Sequence, residues 1–262
     1  MSDSTSIVPI PAATILIVRD GPGGLEVFMV KRHHQIDFVA GALVFPGGKV
    51  ANGDCGPALG DFMDGAAPLS CEMQSFAAAA IREAFEESGI LFARETGQEV
   101  LLSAERLEHL EHYRPALEKG EITLLEMLRA EDLRLAGDHL VRFAHWITPA
   151  NMTKRFDTHF FVAAAPDGHL GRHDGRESVD SVWIAPSQAI ADSSSWKVVF
   201  PTRLNLMKLA QTSTVREALN AAKTVPPLTV APWLEEGPEG PVLRIRDDAG
   251  YPQTSALLKE AL

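Results

Sequence analysis

Two apolar runs, Ala-Thr-Ile-Leu-Ile-Val-Arg at 12–18 and Leu-Glu-Val-Phe-Met-Val-Lys at 25–31, flank the turn sequence Gly21-Pro22-Gly23-Gly24. Their β-branched and aromatic content predicts two strands joined by a tight connection. A third short strand is expected from Gly41 to Phe45, leading into a turn at Gly47-Gly48. The period then changes. Met73, Ala77, Ala80, Ile81 and Ala84 recur at helical spacing as one apolar stripe, with Ser70 suited to the N-cap and Gly89 to the C-terminal stop. The stretch before Ser70 carries Pro57, Pro68, Gly53, Gly56, Gly60 and Gly65, and reads as loop.

Beyond this helix, leucines at helical spacing over 103–118 and 122–131, separated by Gly120, predict a helical excursion. Its helices either wall a substrate cleft or simply pack. Strands are expected to recur at 140–147, 156–164 and 180–184. Pro201 marks a helix start, and Thr214-x-x-Glu217 reads as a capping box. Pro226-Pro227 begins an extended tail in which Val242 to Ile245 is a candidate strand. Strands alternating with helices around a central helix predict an α/β fold, an α/β/α sandwich with a mixed sheet. At 262 residues the chain can bury a full core as one elaborated domain, and two domains are possible.

Composition narrows the function classes. Hydrophobic residues make up 45% and charged residues 23%, as in ordinary globular proteins. No apolar run approaches the roughly 18 residues needed to span a bilayer. The net charge of −11 argues against a nucleic-acid groove or an anionic membrane as partner. It leaves room for a phosphorylated small molecule, since salt screens the global field within about 8 Å. The N-terminal Met1-Ser2-Asp3-Ser4-Thr5-Ser6 is not expected to be a signal peptide, nor Glu260-Ala261-Leu262 a peroxisomal address. Only Cys55 and Cys71 are available, so a reducing cytoplasm with two free thiols is expected, a disulfide being the alternative. A homodimer is possible.

The chemistry concentrates in Arg82-Glu83-Ala84-Phe85-Glu86-Glu87-Ser88-Gly89-Ile90, behind Phe45-Pro46-Gly47-Gly48. Glu83, Glu86 and Glu87 stand at i, i+3 and i+4, neighbours on a helix surface. At 100° per residue, Glu86 falls opposite the apolar stripe, Glu87 about 60° from its centre and Glu83 about 100°. A solvated acidic face is one reading, where like charges cost a few tenths of a kcal/mol. Near a buried edge, each pair about 6 Å apart would instead repel by roughly 3 kcal/mol at an effective dielectric of about 20. A cation, a proton, or Arg82 at i, i+4 from Glu86 must then offset that repulsion.

These residues resemble the Nudix hydrolase box, opened by Gly48 and closed by Arg82 to Ile90. Asp54 stands where the box has its first Glu, and residues 55–81 replace a connection of seven residues. A loop of that length adds only about 1 kcal/mol of closure entropy. The long insertion is similar to that of the subgroup including peroxisomal coenzyme A diphosphatases and their bacterial relatives. Phe45-Pro46-Gly47-Gly48 with Gly41 is similar to the tail of the coenzyme A-associated signature. Asp37 stands where that signature has an Arg, and Arg32 matches its other Arg. Trp146-Ile147-Thr148-Pro149, Arg155-Phe156-Asp157-Thr158 and Trp183-Ile184-Ala185-Pro186 also look like this subgroup.

The resemblance implies a Nudix domain over 8–192, with insertions at 55–81 and 101–135. Residues 193–262 would be a helical extension and tail packed on the same domain. It implies water attack on the diphosphate of a nucleoside diphosphate linked to another moiety. The first candidate is coenzyme A or acyl-CoA, giving an adenosine bisphosphate and a phosphopantetheine. ADP-ribose, nucleotide sugars or dinucleotides are the alternative substrates, and a non-catalytic ligand-binding module is a third reading. Glu83, Glu86, Glu87 and the Gly47 carbonyl would hold Mg²⁺ or Mn²⁺, which suit hard oxygen donors. Arg82 would orient a glutamate, with Asp54 in support. The general base would be a box glutamate, Glu177 or Asp180, the last two being otherwise solvated loop carboxylates. Lys49, Arg32 and Arg155 are the candidate phosphate-binding cations, although Arg155 shares a strand face with Asp157 and His159 and has Asp157 as an alternative partner. The remaining histidines, including His33-His34, lack ligand spacing and read as surface or loop residues. Trp146, Trp183 and Trp196 read as core rather than stacking platforms.

Overall fold

The computed structural model describes residues 7–32, 41–171, 178–192 and 196–261. Its main sheet runs in the order Ser178–Ile184, Gly24–Arg32, Ile10–Gly21, Phe156–Ala164, Val141–Ile147, Thr229–Val230. Ile10–Gly21 pairs in parallel with Phe156–Ala164, and Thr229–Val230 with Val141–Ile147, while the other ladders are antiparallel, so the sheet is mixed. The short Gly47–Lys49 strand adds to the first half of Ile10–Gly21, opposite Ala12 to Thr14.

Both faces of the sheet are covered, which is why its central strand is an unbroken apolar run. Ala13, Ile15 and Ile17 point into a core shared with helix Cys71–Ser88 and the helical excursion. Leu16 and Val18 point the other way, into a core closed by helices Pro186–Ala191, Phe200–Leu209 and Val215–Thr224. Helices on both sides of a mixed sheet make the expected α/β/α sandwich. Helix Cys71–Ser88 starts and stops as its sequence predicts. The Ser70 hydroxyl accepts from Met73 N–H at 3.2 Å, and Gly89 takes the left-handed conformation at φ 70°.

Four local expectations are corrected. The stretch before Ser70 is not all loop: Pro57–Gly60 is one helical turn, and Met63–Asp64 pairs in parallel with Leu133–Ala136 in a side sheet completed by Ala93–Glu95. Leu59, Met63 and Ala66 are buried there. Arg94 and Arg134 tether the stretch through Asp64 at 3.1 and 2.8 Å. The excursion's first helix breaks into Ala104–Leu110, a 3₁₀ turn and Arg114–Glu118, because Pro115 has no N–H to continue the ladder. Thr214 caps its helix, but the Glu217 carboxylate accepts from Ser213 N–H at 2.8 Å rather than from Thr214. The tail holds more strand than expected: Trp233–Gly237, Gly240–Arg244 and Ser255–Leu257 form a three-stranded antiparallel sheet. A buried chain anchors that tail, Trp146 Nε1–H to Tyr251 Oη at 2.8 Å and Tyr251 O–H to Asn205 Oδ1 at 2.9 Å.

Cys55 and Cys71 are exposed free thiols. No helix among the described residues is long and apolar enough to cross a membrane.

Candidate active site

Gly47 and Gly48, expected in a turn, instead lie on the short strand Gly47–Lys49, pressed against strand Ile10–Gly21 and the Glu83 side chain of helix Cys71–Ser88 with no room for a Cβ. A Cβ on Gly47 would stand 2.5 Å from Thr14 Oγ1 and 2.6 Å from the Ala13 carbonyl, while one on Gly48 would overlap the Glu83 carboxylate. The space beside Gly48 is thus taken by the Glu83 carboxylate, and that beside Gly47 by Thr14 and the Ala13 carbonyl. Gly47 N–H donates to Glu87 Oε2 at 3.0 Å, which fixes that side chain on the glycine strand.

Arg82 organises the rest. Its Nε and one terminal nitrogen donate to both oxygens of Asp54, at 3.0 to 3.2 Å. The other terminal nitrogen donates to Glu86 Oε2 at 2.9 Å. The nitrogen serving Asp54 also reaches Lys49 O at 2.9 Å and Glu83 Oε1 at 3.0 Å. Asp54 is itself oriented by Ala51 N–H at 2.8 Å. One guanidinium thus meets three carboxylates, and Glu87 is a fourth, so full ionisation would leave the cluster strongly negative and buried. The pKa values follow from that. Burial pushes the Glu83 carboxyl up to about 7 against the pull of Arg82, with Glu86 adding to the rise. Burial also raises Glu86, again opposed by Arg82.

Glu86 lies where the helical wheel puts it, away from the apolar stripe, yet it is only 7% exposed. The excursion covers that side: Arg114 donates to the Glu86 backbone carbonyl at 3.0 and 3.2 Å. Glu86 Oε1 is left buried without a hydrogen-bond partner. Such an atom costs about 1–3 kcal/mol, more when charged, unless something binds it. An acceptor-only oxygen in a cluster of carboxylates is a fit for a hard divalent cation.

The cluster opens into a cleft of about 1610 Å³. Gly47, Gly48, Arg82, Glu83, Glu86 and Glu87 line one part, and residues 117–120 and 122–124 of the excursion form a wall beside them. The opposite lining is apolar and comes from the second core and the tail: Trp146, Phe160, Phe200, Leu234, Leu243 and Leu258. Lys49, Lys119, Lys154 and Lys197 are exposed cations on its walls.

Of the sequence candidates, the structure brings together Gly47, Lys49, Asp54, Arg82, Glu83, Glu86 and Glu87 on this cleft. Arg155 stands apart. It is buried, donates to Thr148 O at 3.1 Å and to Ile7 O at 2.7 Å, and does not line the cleft, although Lys154 and Phe156 do. Asp157 meets His145 Nε2 at 2.5 Å. Asp180 is exposed, accepts from Ser181 N–H at 2.8 Å and does not line the cleft. Glu177, the Arg32 side chain, Asp37, His33 and His34 lie outside the described residues. Trp146 is core and cleft wall at once. Lys154, Lys197, Leu234 and Leu258 carried no sequence signal and become cleft walls only through the fold.

Comparison with known proteins bears on the family of the chain. The chain is 25% identical over 217 residues to acyl-coenzyme A diphosphatase NUDT19 of Xenopus laevis, covering 67% of this chain and 57% of that protein. It is 28% identical over 190 residues to nudix hydrolase 7 of Caenorhabditis elegans, covering 70% of this chain and 57% of that one. The chain therefore spans little more than half the length of these curated relatives. A Nudix hydrolase from Alicyclobacillus acidocaldarius superposes with a TM-score of 0.64 at 25% identity, over 81% of this chain and 96% of the other. The family model described as the NUDT19 Nudix domain matches residues 66–204, more than half of the chain, and the chain belongs to the Nudix hydrolase family.

Proposed function

We propose that this Nudix hydrolase cleaves the diphosphate of coenzyme A or an acyl-CoA, with Mg²⁺ or Mn²⁺ held by Glu83, Glu86, Glu87 and the Gly47 carbonyl. The observation that carries the reading is the orphaned Glu86 Oε1 within the carboxylate cluster that lines one large cleft. Bound divalent ions neutralise diphosphate charge and lower the pKa of bound water.

The chain's own residues prepare that chemistry. Arg82, locked by Asp54, holds Glu83 and Glu86 at fixed positions and offsets their repulsion. Gly47 N–H holds Glu87 by one carboxylate oxygen, at 3.0 Å. Burial pushes the Glu83 carboxyl up to about 7, so a cation held there would compete with a proton. Asp180 does not line the cleft, which leaves a glutamate of the cluster or Glu177 as the proton acceptor. Lys49, Lys154 and Lys197 would bind phosphate oxygens at the rim, and the apolar wall around Trp146, Phe200 and Leu243 suits a long uncharged arm such as an acyl-pantetheine.

The test is a panel of coenzyme A, acyl-CoA, ADP-ribose, nucleotide sugars and dinucleotides with Mg²⁺ or Mn²⁺, products identified by mass spectrometry. Glu87→Gln keeps an acceptor for Gly47 N–H but removes the charge, and should lower kcat by about 100-fold or more. Coenzyme A cleavage fastest of the panel supports the substrate assignment. Preference for ADP-ribose or a dinucleotide overturns it, and undiminished activity in Glu87→Gln overturns the metal assignment.

A further inference from the structure

A second cluster lies outside the carboxylate site. Strands Val141–Ile147 and Phe156–Ala164 pair so that His145 faces His159 and Ile147 faces Asp157. Residues 157 and 159 share one side of their strand by alternation, so the ladder sets two imidazoles and one carboxylate on a single face. Ligand atoms of His145, Asp157 and His159 lie within 4.8 Å of one another. The two rings stack at 3.9 Å between centroids, 12° from parallel. We propose that His145, Asp157 and His159 form a site for a borderline transition-metal ion such as Zn²⁺, separate from the hard-cation glutamates.

Three observations support it. First, the donor set is two nitrogens and one carboxylate oxygen, which suits zinc-type ions; the glutamate cluster offers only oxygen. Second, His159 is 8% exposed and its Nδ1 is buried with no hydrogen-bond partner. A neutral imidazole with an unmet ring nitrogen there is costly, and a metal bond or a bond through a displaced neighbour would meet it. Third, His145 already has an orienting contact. Its Nε2 meets Asp157 Oδ1 at 2.5 Å while Nδ1 meets Thr229 Oγ1 at 2.8 Å. A hydroxyl on the far ring nitrogen is the outer contact that fixes a metal-binding tautomer. Zinc bonds of about 2.0–2.2 Å place ligand atoms on one ion about 3–3.5 Å apart, which small side-chain rotations reach from here. Entry of the ion replaces the proton shared by His145 and Asp157. Because Thr229 belongs to the strand that starts the tail, the ion would clamp the tail to the sheet.

The experiment uses the full chain carrying Glu83→Gln and Glu87→Gln, which disables the glutamate site. Zn²⁺ retained after dialysis is counted by elemental analysis, and Co²⁺ is titrated by visible absorption. One ion per chain is expected, with visible bands typical of low-coordinate cobalt and no thiolate charge-transfer band. Adding Asp157→Asn, which changes a side chain one-third exposed, should weaken Co²⁺ binding by roughly 10–100-fold, and His159→Gln should do the same. Far-ultraviolet circular dichroism of each metal-free variant shows whether it is folded. Absence of stoichiometric Co²⁺ in the folded parent, a thiolate band, or binding unmoved by Asp157→Asn overturns the proposal. Loss of diphosphatase activity alone would bear on the glutamates and not on this site.

Discussion

Gly48 and Glu83 occupy one space: the carboxylate of Glu83 sits where a Cβ on Gly48 would be. The helix therefore meets the glycine strand here through the Glu83 carboxylate itself. Gly48 does not have positive φ, so alanine there meets a steric obstacle rather than a backbone one. Gly48→Ala should displace Glu83 and lower kcat by about 100-fold, the cost of a misplacement near 1 Å. Its melting temperature should hardly change. Initial rates with Mg²⁺ and a thermal melt check this, and near-normal kcat would contradict the shared-space argument.

Asp54 holds Arg82 from a position only 2% exposed. Removing one partner of a buried pair leaves the other uncompensated, at a cost of about 3–5 kcal/mol. Asp54→Ala should lose stability on that order in urea unfolding, even though Asp54 is the position that departs from the family's glutamate. A loss under about 1 kcal/mol would mean that Glu83 and Glu86 suffice to hold the guanidinium.

Tyr251 links Trp146 to Asn205 through one hydroxyl, and burial raises its phenol well above the usual range. Tyr251→Phe strands a buried indole N–H and a buried amide oxygen, costing about 1–3 kcal/mol for each group left unsatisfied. Limited proteolysis should then cut the tail earlier than in the parent protein. Unchanged cleavage would show that the tail is held by its apolar contacts alone.

His169 gives stability a pH dependence of known sign. Burial lowers its pKa below 6.5, against a smaller opposing effect from its bond to Leu102 O at 2.9 Å. The folded state therefore resists protonation while the unfolded chain accepts it. The stabilisation is complete above about pH 6.5 and is lost as pH falls below that value. His169→Gln should flatten the slope of unfolding free energy below about pH 6.5, measured by denaturant titration at several pH values. A slope equal to that of the parent would assign the acid sensitivity to other groups.

Local spacing made much of this molecule legible. Ser70, the alanine stripe and Gly89 define helix Cys71–Ser88 because caps and apolar period act within a few residues. The glutamates at i, i+3 and i+4 follow from the same helix. The tail was less legible, since Trp233–Gly237 and Ser255–Leu257 are short and become strands only by pairing with Gly240–Arg244. Met63–Asp64 depended on a partner about seventy residues downstream, in Leu133–Ala136.

By itself the chain determined which residues make up the candidate site: two glycines, one arginine and three glutamates, each specified by its near neighbours. Tertiary packing decided their environment. Glu86 points away from its helix's apolar stripe and would be solvated there, but Arg114 and the excursion close over it and leave one oxygen unpaired. Arg155 lies among cleft-lining neighbours in sequence yet is bound to the backbone carbonyls of Thr148 and Ile7. His145 and His159 face each other only because two antiparallel strands share a register. Burial and pairing between distant segments depend on how those segments meet, and no local period encodes that.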